Sequence, residues 1–173
     1  RDDVESRGLG DVYKRQVMIQ RKQTLFLLLA VIVCALGLFF PIGSIAPEGM
    51  GTDSMVYNLG VVTGEGGLAV SATCIPLFVL LSVTAILSLV TIFLYKNRKV
   101  QMSICKCTML LQVLWVIDYV LILLGIIPIP EVQGKMGIEF AACLPIVSLI
   151  LVAMAYKGVN DDEKLVKAAD RIR

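Results

Sequence analysis

The sequence predicts an all-α fold: a bundle of four transmembrane helices, with the N-terminus and the C-terminus both on the cytoplasmic side. The 173 residues are 57% hydrophobic and 17% charged, whereas a soluble domain has about 25% charged residues. Four long apolar runs are separated by short polar segments, as in a multi-pass membrane protein. The basic residues that follow Met18 lie almost entirely on one side of these runs, and Lys135 stands alone on the other. By the positive-inside rule, the basic side is cytoplasmic.

Residues 1–17 precede the predicted bundle and show no apolar period. Within them, residues 11–16 read Asp-Val-Tyr-Lys-Arg-Gln, a string that resembles the translation of a transposon-end sequencing adaptor. We therefore predict that residues 1–17 are a non-native read-through extension and that Met18 is the start; a genuine disordered tail is the alternative. The rest of the chain is predicted to consist of a transmembrane domain over residues 18–156 and a cytoplasmic tail over residues 157–173.

The first helix is predicted over residues 24–41, where a basic start leads into an apolar run that ends at a proline. A basic start and an apolar core also occur in signal peptides. Here the best cleavage site is followed by Pro47, so we expect a retained helix. The Gly-rich residues 42–67 are predicted to form an outer loop. Strand-like composition at residues 55–62 and a turn signal at residues 63–67 are compatible with a short β-hairpin in that loop.

Three further helices are predicted over residues 68–95, 103–128 and 138–156. Each run can cross a hydrocarbon core of about 30 Å at about 1.5 Å per residue. A basic turn joins the second helix to the third. The tail at residues 157–173 is predicted to form a short cytoplasmic helix that Asn160 caps. Its apolar residues recur on one face, which favours an interfacial helix at the inner leaflet, with partner docking as the alternative.

Three segments resemble a known family of small bacterial membrane proteins. They read Met-Ile-Gln-Arg-Lys-Gln-Thr at residues 18–24, Arg-Lys-Val-Gln at residues 98–101 and Asp-Glu-Lys-Leu-Val-Lys-Ala-Ala-Asp-Arg-Ile-Arg at residues 162–173. By these segments the chain is similar to the domain-of-unknown-function 4293 family, and the similarity extends over residues 18–173. It implies a four-helix integral protein of the bacterial cytoplasmic (inner) membrane. It implies no activity, so no functional residue is carried over.

Asp118 is the sharpest candidate for a functional residue, because an acid at mid-depth in a membrane costs roughly 2.5–3.5 kcal/mol. At about 100° per residue it shares one helical arc with Thr108, Gln112, Trp115 and Tyr119, so we expect that arc to face the bundle interior. The candidate intramembrane polar site also includes hydroxyl side chains at similar depth on other helices, namely Ser82, Thr84 and Ser148. A proton or cation site is the functional interpretation. An interhelical hydrogen bond that fixes packing is favoured, because no second ionisable group lies in the membrane.

Other features of the sequence point away from catalysis, cofactors and metals. The chain has no histidine, which removes the commonest general base and metal ligand. Its five cysteines are expected to be buried thiols. Cys105 and Cys107 alone are a weak metal signal, and a disulfide between Cys74 and Cys143 is possible but not favoured. A net charge of +2 gives no reason to expect nucleic acid binding.

We therefore expect a non-enzymatic membrane component that binds a partner protein or a lipid. Its expected partners are the lipid bilayer and either another membrane protein or a second copy of itself in a homo-oligomer. No catalytic, metal-binding or cofactor-binding residue is predicted. The alternative is a small oligomeric transporter or proton-linked permease centred on Asp118. A membrane enzyme has the least support, because the sequence contains neither paired intramembrane carboxylates nor a nucleophile–base spacing.

Overall fold

The computed structural model describes residues 23–47, 52–63, 67–94, 97–132 and 134–172. Residues 1–17, predicted to be a non-native extension, lie outside these ranges. Within the ranges, four α-helices form a bundle. Their bounds are α1 Gln23–Phe39, α2 Ile75–Phe93, α3 Arg98–Leu123 and α4 Leu144–Ile172. A short 3-10 helix, Phe140–Cys143, leads directly into α4.

Five strands form one antiparallel sheet, so the prediction of an all-α fold is wrong. The strands are β1 Gly43–Pro47, β2 Ser54–Val56, β3 Gly60–Thr63, β4 Gly67–Val70 and β5 Gly134–Ile138. Their spatial order is β4-β3-β2-β1-β5. All of them except β2 begin with glycine, a residue that is generally depleted in strands. The glycine content of β1 and β5 therefore favours loops, and these two segments were predicted as loops although they pair as strands.

The region with the predicted hairpin folds as two consecutive hairpins. A tight turn interrupts the segment 55–62, whose composition is strand-like throughout. In that turn the Tyr57 amide donates to the Gly60 carbonyl at 2.7 Å, and the Gly60 amide donates back to the Tyr57 carbonyl at 3.3 Å. β2 and β3 pair across it. The predicted turn at residues 63–67 then joins β3 to β4, which are also antiparallel.

The fifth strand comes from a different loop and joins the two loops into one sheet. β5 pairs with β1 along all five residues, beginning with Gly43 opposite Ile138. The two backbones approach closely here. A Cβ added at Gly43 would collide with the Met136 side chain and would lie 2.9 Å from the Gly137 carbonyl oxygen. Glycine is therefore required at the start of β1 for this pairing to form.

The second and third helices differ from their predicted bounds at identifiable residues. α2 begins at Ile75 rather than at residue 68, because residues 67–70 belong to β4. α3 begins and ends five residues earlier than the predicted range 103–128. Gly125 follows its end with a φ of 71°, a left-handed conformation that glycine adopts without steric cost.

One continuous helix replaces the predicted fourth helix and the predicted tail helix. α4 runs without a break from Leu144 to Ile172, so Asn160 lies in its interior rather than at an N-cap. Its 29 residues extend over about 43 Å at 1.5 Å per residue. Residues 138–143, which were predicted to be helical, instead contain the end of β5 and the 3-10 helix.

The bundle has an apolar outer surface and a partly polar interior. Large apolar side chains are exposed along all four helices, for example Leu28, Ile86, Leu110 and Ile150. Soluble monomers rarely expose apolar surface this extensively. Three helices are long and apolar enough to cross a membrane, namely Ile75–Phe93, Arg98–Leu123 and Phe140–Leu165. α1 is apolar as well, and its described part, Gln23–Phe39, is the shortest of the four helices.

The sheet lies against one end of the bundle, which we call the sheet end. The opposite end holds the start of α1 and the junction between α2 and α3, and we call it the turn end. One apolar cluster packs toward the sheet end and includes Ile42, Val56, Leu81, Trp115 and Ile122. A second cluster lies between the helices toward the turn end and consists of Leu27, Ala30, Cys105, Val152 and Ala155.

Candidate functional site

Four buried polar side chains, one from each helix, meet inside the bundle, and we call them the polar centre. They are Cys34 on α1, Thr84 on α2, Gln112 on α3 and Ser148 on α4, and all four are fully buried. Gln112 Nε2 donates to Ser148 Oγ at 2.6 Å and lies 3.9 Å from Cys34 Sγ. The Cys34 thiol and the Ser148 hydroxyl are hydrogen-bonded at 3.1 Å. The polar centre therefore links helices that are distant in sequence.

The Thr84 hydroxyl and the Gln112 amide oxygen of the polar centre differ in whether they have a hydrogen-bond partner. The Thr84 hydroxyl donates to the Leu81 carbonyl at 2.7 Å, within its own helix. Gln112 Oε1, in contrast, is buried and has no hydrogen-bond partner among the described residues. A buried amide oxygen without a donor is unfavourable by about 1–3 kcal/mol.

A second network fastens the sheet to the bundle through Asn58, which lies in the turn between β2 and β3. Asn58 is fully buried, and its Nδ2 donates to the Gly37 carbonyl of α1 at 2.7 Å. Trp115 Nε1 donates to Asn58 Oδ1 at 3.1 Å. The Tyr119 hydroxyl donates to the Ile42 carbonyl at 2.9 Å. The Trp115 and Tyr119 rings are stacked with their centroids 5.3 Å apart.

A third network holds the turn end. Gln23 Nε2, at the start of α1, donates to Asp162 Oδ2 of α4 at 3.0 Å, and both side chains are buried. Arg98 at the start of α3 donates to the Asp162 backbone carbonyl at 3.4 Å. Gln101 Nε2 donates to the Thr91 carbonyl at 3.3 Å, which joins α3 to α2. We call the contact between Gln23 and Asp162 the turn-end clamp.

Asp118 lies near the sheet end rather than at mid-depth. Because α3 ends at Leu123, Asp118 is about 7.5 Å from the end of the helix. Its Oδ2 is buried without a hydrogen-bond partner among the described residues. It also lies close enough to Cys74, just before α2, to influence that thiol. The pKa of the Cys74 thiol is raised to about 11, mainly by burial; a hydrogen bond from Ser71 opposes the rise, and the Glu131 and Asp118 carboxylates contribute to it.

The structure therefore distributes the predicted site residues among different contacts. Thr84, Gln112 and Ser148 meet in the polar centre, while Trp115 and Tyr119 hold the sheet. Thr108 is buried and donates to the Ile104 carbonyl of its own helix. Ser82 is half-buried. Among the described residues, none of these hydroxyl groups donates to Asp118.

Several residues of these networks were not predicted from the sequence. Cys34 was expected only to be one of five buried thiols, Gln23 belonged to the basic start of the first helix, and Asp162 belonged to the cytoplasmic tail. Asn58 was part of a segment that looked like a strand. Its burial depends on the position of the whole β2–β3 turn against the bundle, and a single sequence gives no signal for that position.

An open groove lies where the bundle meets the sheet. It has a volume of about 740 Å³ and lies between the end of α3, the segment at residues 124–132, and strands β1 and β5. Most of the lining side chains are apolar, among them Ile45, Ile122, Leu124, Ile127, Val132 and Met136, but about half of the exposed lining surface is polar. Among the described residues, Lys135 on β5 is the one ionisable side chain that lines it.

The ionisable and thiol side chains of the described residues are spread over the fold. Among the residues that the structure describes, no group of three or more His, Cys, Asp or Glu side chains could hold a metal ion. All five cysteines, including Cys74 and Cys143, are free thiols. Cys74 is buried and Cys143 is exposed.

These features define a class of protein: a small helical bundle with an apolar exterior that carries an antiparallel sheet at one end. The chain belongs to the domain of unknown function 4293 family, whose family model, described as Domain of unknown function (DUF4293), matches residues 19–172. The resemblance found in three segments of the sequence is thereby confirmed. No curated protein matches this chain.

Proposed function

We propose that the chain is a multi-pass protein of the bacterial cytoplasmic membrane, with the turn end on the cytoplasmic side and the sheet end outside. Three helices have the length and composition for crossing a membrane, and the exposed apolar surface supports insertion. The α1 helix would span about 26 Å, slightly less than a typical hydrocarbon core of about 30 Å. Residues 42–74 contain no Lys or Arg, whereas basic residues concentrate at the turn end, and this asymmetry supports the orientation.

In this proposal the protein acts by binding a partner protein, without catalysis, at the free edge of its sheet. The observation that carries the proposal is the exposure of β4. All four of its residues are exposed, with Leu68 at 50% and Val70 at 57%, and none of them is charged. The other edge strand, β5, carries Lys135. Lysine is one of the residues that discourage strand pairing at an edge.

An extended, uncharged segment of a partner protein is the occupant that fits this edge. The outer side of β4 presents unpaired backbone groups, and an added strand would satisfy them while its apolar side chains cover Leu68 and Val70. The sheet is held in position by the Asn58 and Tyr119 hydrogen bonds. A partner would therefore meet a preorganised edge and lose less conformational freedom on binding.

Site-specific photo-crosslinking in the native membrane tests this proposal. A photoreactive amino acid is placed at Leu68 and, as the matched control, at Met55, an exposed apolar residue of the central strand β2. We expect one protein adduct from position 68, mapped to an extended segment, and its loss with Val70→Lys. Adducts with lipid alone at position 68, or the same protein adduct from position 55, would overturn the proposal. Adducts between two copies of the chain would replace the partner with a homodimer.

Transport centred on Asp118 remains a second candidate, and a specific observation favours it. The buried oxygens Asp118 Oδ2 and Gln112 Oε1 both lack hydrogen-bond partners among the described residues, as expected of acceptors that bind a proton or a cation during transport. In proteoliposomes, transport predicts a flux that Asp118→Asn abolishes while the variant remains folded. A flux that Asp118→Asn leaves unchanged, or no flux with any cation tested, excludes this candidate.

A further inference from the structure

The groove between the bundle and the sheet has the size and the position of a lipid site. Its volume of about 740 Å³ falls within the range of about 300–1,000 Å³ that is usual for small-molecule sites. It begins where α3 ends, and β1 and β5 form its opposite wall. In the membrane orientation proposed above, this is the level at which the hydrocarbon core gives way to the headgroups.

The groove is continuous with the apolar exterior of the bundle. Leu124 lines it and is 67% exposed, and the neighbouring Ile126 is 63% exposed. Both side chains follow directly on the membrane-facing part of α3. Apolar surface in contact with water is unfavourable by about 25 cal/mol per Å². A hydrocarbon chain from the adjoining leaflet would remove the apolar half of the groove lining from water, and the polar half can face the glycerol and headgroup of the same lipid.

Lys135 supplies a cation at the same place. It is the only Lys or Arg in residues 124–143. Among the described residues, no carboxylate lies within ion-pairing distance of its ammonium group. The acidic residue of the adjoining segment, Glu131, instead accepts a hydrogen bond from Ser71 at 2.7 Å. Lys135 is therefore available to an anionic group at the groove.

We infer that this groove binds one phospholipid of the outer leaflet, with an acyl chain along Ile122, Ile127 and Val132 and the phosphate at Lys135. A lysine near an anionic headgroup contributes about 1 kcal/mol, so the site should prefer phosphatidylglycerol to a zwitterionic phospholipid. The inference rests on the proposed insertion and orientation. It does not depend on a partner at β4.

Native mass spectrometry of the purified full chain tests the inference. The chain is delipidated in detergent and titrated with phosphatidylglycerol, with phosphatidylethanolamine and with inorganic phosphate. We expect one tightly retained phosphatidylglycerol, about fivefold weaker binding in Lys135→Gln, and wild-type binding in Lys135→Arg. Ile127→Trp, which fills the groove, should weaken both lipids.

Matched controls separate this site from the ordinary lipid around the bundle. Lys157→Gln removes an exposed lysine at the opposite end, and Val113→Trp enlarges an exposed residue on the membrane-facing side of α3. Neither should change the retained lipid. Equal binding by Lys135→Gln and the wild type, or equal losses in Val113→Trp and Ile127→Trp, would overturn the inference. Binding of inorganic phosphate alone would do so as well.

The result of the lipid-binding measurement does not depend on whether a partner protein binds at β4. Crosslinking at Leu68 reports on β4 and does not involve the groove. If the chain fails to integrate into liposomes, the membrane placement itself is wrong and the lipid site fails with it. If the chain integrates but retains no lipid, only the lipid inference fails.

Discussion

The two ends of the bundle are closed in different ways. At the sheet end, side chains of α3 and of the β2–β3 turn bind backbone carbonyls of other elements: Asn58 binds Gly37, and Tyr119 binds Ile42. At the turn end, the clamp is one amide bound to one carboxylate, Gln23 to Asp162, with Arg98 on the adjacent backbone. Each end is thus held by three of the hydrogen bonds described above. Those at the sheet end fix the β2–β3 turn and the start of β1 to the helices, whereas those at the turn end join helices to each other.

This difference indicates where the protein can move. The Asn58 side chain donates to the Gly37 carbonyl and accepts from Trp115, so losing it would leave two buried groups unsatisfied, and the elements that share it should open together. The turn-end clamp joins one pair of side chains at the start of α1, so local opening there need not disturb the sheet. The four substitutions below test this contrast. Trp115, the single tryptophan of the chain, lies at the sheet end and reports unfolding by its fluorescence.

The largest effect is expected from Asn58→Ala. It leaves both the Trp115 indole N–H and the Gly37 carbonyl buried without a partner, so the free energy of unfolding should fall by about 3 kcal/mol. Reversible unfolding in mixed micelles, followed by far-UV circular dichroism, measures this change. Asn97→Ala is the control, because Asn97 is exposed and its side chain makes no capping hydrogen bond. Similar losses in both variants would contradict the proposed role of Asn58.

Asp162→Ala should have the second-largest effect. It removes a hydrogen bond to a charged group, so the free energy of unfolding should fall by about 2 kcal/mol. Asp162→Asn should lose less, since its amide oxygen can still accept from Gln23. Hydrogen exchange measured by mass spectrometry should show faster exchange at the start of α1 and unchanged exchange in the sheet. Asp161→Ala is the control, because the pair of Asp161 with Lys164 is solvent-exposed. Faster exchange in β1 would show that the two ends are not independent.

Gln112→Leu should have a smaller effect, a fall in the free energy of unfolding of less than about 0.6 kcal/mol. Hydrogen bonds between membrane helices contribute about 0.6 kcal/mol on average. The substitution also removes an amide oxygen that has no partner, and this gain offsets part of the loss. The Cys34–Ser148 hydrogen bond remains. A loss as large as that of Asn58→Ala would mean that the polar centre, rather than the sheet end, dominates the stability of the bundle.

Asp118→Leu should have the smallest effect on stability. The buried Oδ2 of Asp118 has no partner among the described residues, so its removal should leave the free energy of unfolding unchanged or raise it by about 1 kcal/mol. The sequence-based packing hypothesis predicts the opposite, since it assigns Asp118 an interhelical hydrogen bond. The unfolding transition of Asp118→Leu, compared with that of Asp118→Asn, distinguishes the two. A clear loss in the leucine variant alone would favour the packing hypothesis.

The helices could be located from the sequence because their length and apolar composition are local properties. The arc from Thr108 to Tyr119 followed from helical periodicity alone. The sheet could be located only in part, because local signals indicated strands near residues 55–67 but not β1 or β5. Glycine is the first residue of both β1 and β5, and glycine generally indicates a turn or a loop. The pairing of β1 with β5 is a long-range contact, and a local pattern carries no information about it.

The candidate site was predictable only in part, for a similar reason. Gln112, Thr84 and Ser148 could be assigned to the interior because buried polar groups in membrane helices face other helices. Their hydrogen-bond partners depend on the rotation and depth of each helix. Because α3 ends five residues earlier than predicted, Asp118 lies closer to the sheet end than expected. Gln112 lies beside Ser148.

The pairing of β1 with β5 also determines the order in which the protein can be completed during synthesis. β1 leaves the ribosome before α2 and α3, whereas β5 emerges after both. In the proposed membrane orientation, the α2–α3 hairpin would be inserted while β1 still has an open edge facing its future partner. Until translation reaches residue 138, the nascent chain carries two unpaired sheet edges, β4 and β1. Closure of the sheet by β5 is then a late assembly step.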